Sequence, residues 1–352
     1  MEVNGILWQD LLIEKNKPEL SFNPKKNYEK WKENVRGKFI ELTGLNEIAK
    51  NVCDPQIDVE SVENKEGYRQ IKFTFLSEIG AIVPCYLLIP DTGKDKYPVA
   101  IVLAGHNTGH HNSIGVQLYQ RDFGKERAHV ALQAVREGYI ALAIDQRSLS
   151  KGHASLFDMQ YRNTRFTNSD DIGGCYFGQF TGWLLGRTLI GERCWDVKRA
   201  IDILPFFPEC DTDKILIMGS SGGGTASYYA AAYDERIKIC VPICSLCTFK
   251  ESIFRFYHCS CNYIPKAYKY FDMQDISCLI APRELVIING EMDTGFLIEG
   301  ARKGFETVKK VYKKAKAQEF SRLVIMPYGH YLHVPTVWGE IRKSAIKLGW
   351  IK

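Results

Sequence analysis

Residues 214–227 read Lys-Ile-Leu-Ile-Met-Gly-Ser-Ser-Gly-Gly-Gly-Thr-Ala-Ser, and no other stretch says as much about the architecture. An apolar run leads directly into a glycine-rich turn, and a run of small residues follows. The turn fits the pattern G-x-S-x-G only with Ser221 at its centre, between Gly219 and Gly223. A serine at a sharp bend between strand and helix needs such glycines, because the flanking chain passes very close. The stretch therefore predicts a strand, a nucleophilic serine on a tight turn, and a helix.

This turn has two other interpretations. A glycine-rich loop at the start of a helix can bind phosphate. The stretch has neither the Lys-Ser/Thr of a P-loop nor the G-x-G-x-x-G of a dinucleotide-binding loop, which disfavours that interpretation. A tight turn without chemistry remains the second alternative.

Outward from the turn, strand-like and helix-like segments alternate from about residue 68 onward. Short apolar or β-branched runs predict strands at 68–75, 81–89, 99–103, 139–144, 214–218, 237–243, 284–288 and 322–326. Helical periodicity or length predicts helices at 116–135, 183–204, 225–233, 296–316 and 337–348. This alternation is typical of an α/β fold, with a doubly wound, mostly parallel sheet and helices on both faces.

The chain divides into two parts by character. Residues 1–60 contain a helix-like piece at 27–42 and are expected to form a helical extension packed on the core. Residues 61–352 form the expected catalytic domain. Within it, the connections 146–182 and 245–282 are long, and long connections after strand ends are typical of a lid or a substrate pocket.

A serine hydroxyl needs a base to become a nucleophile, and the base needs an acid to orient it. On this fold the chain order is Ser, then Asp or Glu, then His, each after a strand. Asp293 follows the strand at 284–288, and His330 follows the strand at 322–326. Their neighbours Glu291 and His333 are the rival candidates. The sequence therefore predicts Ser221, Asp293 and His330 as a catalytic triad.

Acyl transfer also needs hydrogen-bond donors for the oxyanion. The backbone N–H groups of Gly222, directly after the serine, and of His106, in the loop after the strand at 99–103, are the candidates. His106, His110 and His111 together could suggest a metal site. No acidic residue lies close to them in the sequence, so no metal is expected there.

Several polar and aromatic residues in or near the long connections are candidates for substrate binding. The candidates are Asn107, Arg187, Trp183, Tyr257 and His258. Aromatic side chains in this set could stack on sugar rings, although ordinary packing is the more frequent role of such residues.

The composition limits the partners. The chain has 352 residues, 45% of them hydrophobic, and a formal net charge of +5. This charge is mild, and no basic run interleaves with aromatic residues, so no nucleic acid partner is expected. The first twenty residues have no signal-peptide pattern and no long apolar span occurs, so we expect a cytoplasmic protein that does not engage a membrane. The sequence allows a homo-oligomer.

The eleven cysteines are expected to be reduced thiols. Cys244 and Cys247 form a C-x-x-C pair, and Cys259 and Cys261 a C-x-C pair. Zinc accepts such donors. The second spacing is unusual for zinc, and both pairs have apolar or aromatic neighbours. We therefore expect buried inert thiols, and we expect neither a metal nor a cofactor.

These motifs together resemble the α/β-hydrolases. Within that superfamily the chain is similar to the acetylxylan esterase and cephalosporin C deacetylase group and to dienelactone-hydrolase-like enzymes. The segments that carry the resemblance are Leu-Ala-Gly-His-Asn at 103–107, Ala-Ile-Asp-Gln-Arg at 143–147, Gly-Arg-Thr-Leu-Ile-Gly-Glu-Arg-Cys-Trp-Asp at 186–196, the turn at 219–224, Asn-Gly-Glu-Met-Asp at 289–293 and Tyr-Gly-His at 328–330. The resemblance implies the same triad and oxyanion hole.

The resulting hypothesis is a serine esterase that hydrolyses a small-molecule or oligosaccharide ester, with an acetylated carbohydrate as the substrate that the resemblance suggests. A serine peptidase or amidase on the same fold is one alternative. A non-catalytic binding protein is another, because the fold alone does not imply activity.

Overall fold

A computed structural model describes residues 5–106, 109–117, 126–149 and 173–351 of the chain. In these ranges one nine-stranded sheet forms the centre of the molecule. The strands are β1 (Asp58–Lys65), β2 (Tyr68–Glu78), β3 (Ala81–Pro90), β4 (Tyr97–Leu103), β5 (Ile140–Ile144), β6 (Cys210–Ser220), β7 (Ile237–Ile243), β8 (Glu284–Gly290) and β9 (Ser321–Met326).

The strand order is β1-β2-β3-β5-β4-β6-β7-β8-β9. The first three strands form an antiparallel meander, and β3 also runs antiparallel to β5. From β5 to β9 every pair is parallel. Parallel neighbours need crossover connections, which the helices between them supply. The predicted α/β class and mostly parallel sheet are confirmed.

Helices connect the strands. They are α1 (Gly5–Lys15), α2 (Tyr28–Thr43), α3 (Leu45–Ile48), α4 (His110–Ser113), α5 (Val130–Arg136), α6 (Gly173–Leu184), α7 (Leu189–Ile203), α8 (Gly222–Tyr233), α9 (Ala267–Tyr270), α10 (Met273–Ser277), α11 (Ile298–Lys314) and α12 (Val334–Lys347). Short 3-10 turns lie at Ala49–Asn51, Glu126–Ala128, Leu204–Phe206, Ser260–Asn262, Cys278–Ile280 and Gln318–Phe320. Among the described helices, none has the length and apolar character needed to cross a membrane.

The sheet separates two apolar cores. Residues of α2, α7, α8 and α11 pack on one face, and residues of α5 and α12 pack on the other. Strands of a sheet covered on both faces are apolar throughout, and β5 and β8 are buried along their whole length. Trp31, Val35 and Phe39 of α2 belong to the first core, so the N-terminal segment packs against the same core as the sheet.

Two predicted helices differ from the structure. Of the predicted helix 116–135, only residues 130–135 are α-helical, as part of α5. Residues 116 and 117 follow Gly115, whose φ is +81°, and are not helical, and Glu126–Ala128 form a 3-10 turn. Residues 118–125 lie outside the described ranges. The predicted helix 183–204 is two helices, separated where Gly186 has a φ of +72°. The Thr188 side chain then accepts a hydrogen bond from Gly191 N and starts α7.

The sequence also missed two elements. Strand β1 is exposed at nearly every position, so it lacks the apolar alternation that predicts strands; the expected boundary at residue 60 falls inside it. Helix α6 lies within the predicted loop 146–182, of which residues 150–172 are outside the described ranges. The other long connection, 245–282, contains α9 and α10.

Candidate active site

The candidate residues gather where the parallel strands end. Leu103 of β4 pairs with Gly219 of β6, and Gly290 of β8 pairs with Met326 of β9. The chain segments after these strands therefore leave the sheet at one edge. In open α/β sheets this carboxyl edge is where ligands bind.

Ser221 lies on a strained turn between β6 and α8. Its φ is 56° and its ψ is −122°, a combination that residues with a side chain rarely adopt. A Cβ atom built on Gly219 would lie 2.5 Å from the carbonyl carbon of Gly223, and one on Gly223 would lie 2.2 Å from the Leu103 carbonyl oxygen. Both flanking glycines are therefore required by close packing, as the G-x-S-x-G pattern predicts.

Asp293 and His330 lie together in the loops after β8 and β9. His330 Nδ1 is 2.8 Å from Asp293 Oδ2. The other carboxylate oxygen accepts hydrogen bonds from the backbone N–H groups of Gly295 at 2.8 Å and Phe296 at 3.1 Å. Burial alone would raise the pKa of the Asp293 carboxyl, but the contact with His330 and the two backbone donors lower it below its ordinary value. Asp293 is therefore an ionised acceptor that fixes the orientation of the imidazole ring.

The rival residues from the sequence lie elsewhere. Glu291 is exposed to solvent. His333 caps the start of α12, where its Nδ1 is 2.8 Å from Thr336 Oγ1. Of the four acid and base candidates, Asp293 and His330 are the two that the structure brings together.

Ser221 and His330 open into the same cavity of about 340 Å³. Its wall consists of Leu103, Ala104, Gly105, His106, Ser113, Arg127, Ala128, Val130, Ser220, Ser221, His330, Tyr331 and Leu332. Ser221 is half-buried, and the side chain of His330 is 40% exposed, so substrate can reach both. Among the described residues, no hydrogen bond joins Ser221 to His330. Such contacts often tighten only when substrate binds.

The predicted oxyanion donors flank this cavity. Gly222 is the first residue of α8, and the first N–H groups of a helix have no partner within it. His106 lies in the loop after β4, and a Cβ on Gly222 would lie 2.5 Å from Cε1 of its ring. The His106 ring therefore packs directly on the turn that carries Ser221.

Four of the predicted substrate-binding residues, Trp183, Arg187, Tyr257 and His258, do not line the cavity just described. The fifth, Asn107, lies outside the described residues. Arg187 is engaged by Glu78 and Glu192. Trp183 packs on Phe180, with ring centroids 5.1 Å apart. Tyr257 is 73% exposed.

The remaining candidate, His258, contacts the loop that carries the acid. Its Nε2 is 3.1 Å from the Gly295 carbonyl oxygen and 3.2 Å from Ser252 Oγ. Burial lowers the pKa of this imidazole. His258 contacts the carbonyl oxygen of Gly295 and Asp293 accepts its N–H, so His258 supports the loop of Asp293.

The sequence missed two features of this edge. Arg127, Tyr331 and Leu332 line the cavity, and the Arg127 guanidinium lies 4.5 Å from the centre of the Tyr331 ring. Tyr331 and Leu332 directly follow His330, so their position could have been found. Arg127 comes from a 3-10 turn that no sequence pattern marked.

The second missed feature is a buried ion-pair network behind the cavity. Arg147 donates two hydrogen bonds to Asp196, at 2.6 and 2.8 Å, and one to Glu78 at 2.7 Å. Arg187 and Glu192 extend the network. Apart from Glu78, these residues belong to the segments 143–147 and 186–196 that carry the sequence resemblance. The ion pairs connect three parts of the chain: strand β2, the segment that follows β5, and helix α7.

The four cysteines singled out in the sequence do not form one cluster. Cys244 lies with Asp293 and His330, and burial, with the nearby Asp293 charge, raises the pKa of its thiol to about 12. Cys247 donates to the Leu297 carbonyl oxygen at 3.4 Å. Cys259 and Cys261 lie instead with His106 and Cys175. His110 stacks on Tyr86 and does not join its neighbour His106.

Comparison with known proteins agrees with this architecture. The sequence model of the Abhydrolase family matches residues 2–323. A protein of Bacillus subtilis strain 168, provisionally identified as the hydrolase YtaP, is 30% identical over 155 residues. The match covers 42% of this chain and 50% of that protein, so the chain spans about half the length of this curated relative.

Two solved structures share the fold. A protein of Bacteroides fragilis, provisionally identified as an acetyl xylan esterase, has 18% identity and a TM-score of 0.78, with 97% of this chain and 95% of that chain covered. A glucuronoyl esterase from Solibacter usitatus has 15% identity and a TM-score of 0.63, with 94% and 98% covered. The resemblance to the α/β-hydrolases drawn from the sequence is confirmed.

Proposed function

The chain belongs to the Abhydrolase family, and from that premise we propose that it is a serine esterase that hydrolyses a carboxylic ester through an acyl-enzyme on Ser221. One observation carries the proposal. Ser221, on its strained turn, opens into the same cavity as His330, whose ring is held at 2.8 Å by the buried Asp293. A serine, an accessible imidazole and an ionised carboxylate in this order are what acyl transfer to a hydroxyl requires.

The proposed reaction follows from these positions. The Asp293 carboxylate accepts the Nδ1–H of His330 and so leaves Nε2 free to take the proton of Ser221 Oγ as the oxygen attacks the ester carbonyl. The N–H groups of Gly222 and His106 stabilise the oxyanion, at about 3 kcal/mol for each donor. His330 returns the proton to the departing alcohol. His330 then takes a proton from water as the water attacks the acyl-enzyme, and it returns the proton to Ser221 Oγ as the acid leaves.

The substrate is proposed to be an ester of a carbohydrate. The two solved structures compared above are named for esters of carbohydrates. In this chain, Arg127 and Tyr331 place a cation and an aromatic ring on the cavity wall. Both groups suit a ligand rich in hydroxyl or carboxylate oxygen. The cavity of about 340 Å³ accommodates a ligand the size of a small ester or one sugar unit.

The test compares two histidines that lie three residues apart. His330→Ala should lower kcat for 4-nitrophenyl acetate by on the order of 10⁴-fold or more, because Ser221 loses its base. His333→Ala is the matched control. It removes the contact with Thr336 Oγ1 and the ring packing on Tyr328 and Tyr331, and should leave kcat within a few-fold. Equal rates for wild type and His330→Ala would contradict the proposal.

Two further comparisons separate the alternatives. An amidase would hydrolyse 4-nitroacetanilide at a rate similar to its ester analogue, whereas the proposed esterase should strongly prefer the ester. A binding protein would turn over neither. A panel that contrasts acetylated xylo-oligosaccharides with methyl glucuronate identifies the carbohydrate class, and Arg127→Ala should raise KM for the preferred member more than it lowers kcat.

A further inference from the structure

A second group of reactive side chains lies beside the candidate active site. His106, Cys175, Cys259 and Cys261 each offer one donor atom, and these four atoms all lie within 4.8 Å of one another. His106 Nε2 is 3.1 Å from Cys261 Sγ. Three thiol sulfurs and one imidazole nitrogen at this spacing are the donor set of a closed, tetrahedral zinc site.

The four donors come from three separate parts of the chain. His106 belongs to the loop after β4, Cys175 to the first turn of α6, and Cys259 and Cys261 flank Ser260 at a 3-10 turn. The C-x-C spacing alone did not indicate zinc because the other two ligands are distant in sequence. The fold brings the three segments together.

A buried cation faces the thiols. The Arg193 side chain belongs to a residue that is only 1% exposed, and its Nη2 donates to Cys175 Sγ at 3.3 Å. Nε and Nη2 also donate to the Arg147 carbonyl oxygen. Within the described ranges, no carboxylate forms an ion pair with Arg193. A buried guanidinium that donates an N–H to sulfur favours negative charge on that sulfur.

The immediate surroundings also favour thiolates. Asn262 Nδ2 donates towards Cys261 Sγ at 3.9 Å. Hydrogen-bond donors around cysteine ligands are the usual second layer of a metal site.

We propose that His106, Cys175, Cys259 and Cys261 bind one zinc ion, and that this ion anchors the oxyanion loop. Three thiolates, a neutral imidazole and Zn²⁺ together carry one negative charge, which the guanidinium of Arg193 offsets. The ion has four protein ligands and takes no part in the reaction at Ser221. It holds the His106 ring, which packs on Gly222, and thereby fixes the backbone N–H of His106 at the cavity.

The metal site stands apart from the esterase proposal, and only the anchoring role rests on it. The full chain is produced in zinc-supplemented medium, purified under reducing conditions without chelator, and analysed for metal and protein. We expect one zinc per chain. Replacement by Co²⁺ should give intense visible bands and a thiolate-to-cobalt charge-transfer band, which report tetrahedral sulfur ligation.

Matched variants locate the ligands. Cys259→Ser changes the half-buried ligand and should lose at least nine tenths of the bound zinc and the cobalt spectrum. Cys53→Ser, at a half-buried cysteine outside the cluster, should retain both. In Cys259→Ser, kcat for 4-nitrophenyl acetate should fall by about 10-fold or more as the oxyanion loop loosens, with the Tm recorded alongside.

Any one of three results would overturn the site. Wild-type protein could hold well below one zinc per chain after zinc is supplied, or Cys259→Ser protein could bind as much zinc as wild type. The third is a peptide map of protein purified under reducing conditions that shows a disulfide between two of the three thiols. Zinc at one per chain in a protein without esterase activity would count against the proposed function alone. An active enzyme without zinc would count against this site alone.

Discussion

The proposed catalytic edge, which holds Ser221, Asp293 and His330, and the ion-pair network around Arg147 both contain charged side chains, yet their surroundings differ. In the first, His330 is 40% exposed and depends on Asp293 as its charged partner. In the second, Arg147, Glu78 and Asp196 are 14%, 5% and 2% exposed. Arg147 and Glu78 each have more than one charged partner, and Asp196 accepts two hydrogen bonds from Arg147. Access to substrate requires exposure, whereas stability comes from burial with full pairing. The catalytic edge should therefore tolerate substitution without unfolding, and the Arg147 network should not.

The largest expected effect is at the serine. Ser221→Ala removes the nucleophile and should lower kcat by on the order of 10⁶-fold. Its hydroxyl contributes no described hydrogen bond to the fold, so the Tm should stay nearly unchanged. Initial rates with 4-nitrophenyl acetate and a thermal melt check both parts. If Ser221→Ala lost activity only because it unfolds, Ser221 would stabilise the fold, and the two regions would not differ in the way described.

The next effect is at the acid. Asp293→Asn keeps the size of the side chain but removes its charge, so His330 is held in the wrong tautomer and kcat should fall by about 10⁴-fold. Glu291→Gln, two residues away and exposed, is the matched control and should stay within two-fold. Similar losses of kcat in both variants would mean that the 2.8 Å contact between His330 Nδ1 and Asp293 Oδ2 does not identify Asp293 as the catalytic acid.

In the network the effect should be on stability. Arg147→Met leaves two buried carboxylates without their shared partner and should reduce the free energy of unfolding by about 3–5 kcal/mol. Lys50→Met breaks an exposed ion pair with Glu47 and should cost less than about 1 kcal/mol. Urea unfolding measures both.

The activity of Arg147→Met also distinguishes the two regions. Once corrected for the folded fraction, its kcat should lie within a few-fold of wild type, because Arg147 does not line the cavity. A stable Arg147→Met protein with the activity of Asp293→Asn would reverse the roles assigned to the two regions.

The smallest effect is a pH dependence of stability at the acid. The folded-state pKa of Asp293 is lowered, so its ionised form stabilises the fold above the unfolded pKa of about 4, and this contribution is lost as the pH falls through the folded value. The difference in unfolding free energy between wild type and Asp293→Asn should therefore be largest near neutral pH and shrink below about pH 4. Urea unfolding across this range checks the sign. A difference that grows at low pH would contradict the lowered pKa.

The sequence singled out the residues of the proposed catalytic edge but not the network as a unit. Ser221, Asp293 and His330 each follow an apolar strand directly, so a local pattern of strand and loop was enough to select them. The strand predicted at 237–243 has the same bounds as β7, because six of its seven residues are buried and four are isoleucine or valine.

The network and the cysteine cluster depend on distant partners. Glu78, Arg147 and Asp196 are far apart in sequence, and nothing local marks them as a unit. His106, Cys175 and Cys261 are separated in the same way. Helix α6 begins with two glycines and β1 is polar on both faces, so propensity and alternation gave no signal for either. Tertiary contacts decide these elements.

The central claim is that Ser221 is the activated nucleophile, and covalent labelling tests it most directly. Folded wild-type protein is treated with a fluorophosphonate probe, and intact mass and peptide mapping locate the adduct. We predict one adduct per chain, on Ser221, and none on Ser221→Ala protein with an unchanged melt. An adduct on another residue, or no adduct on wild-type protein that hydrolyses esters, would contradict the account.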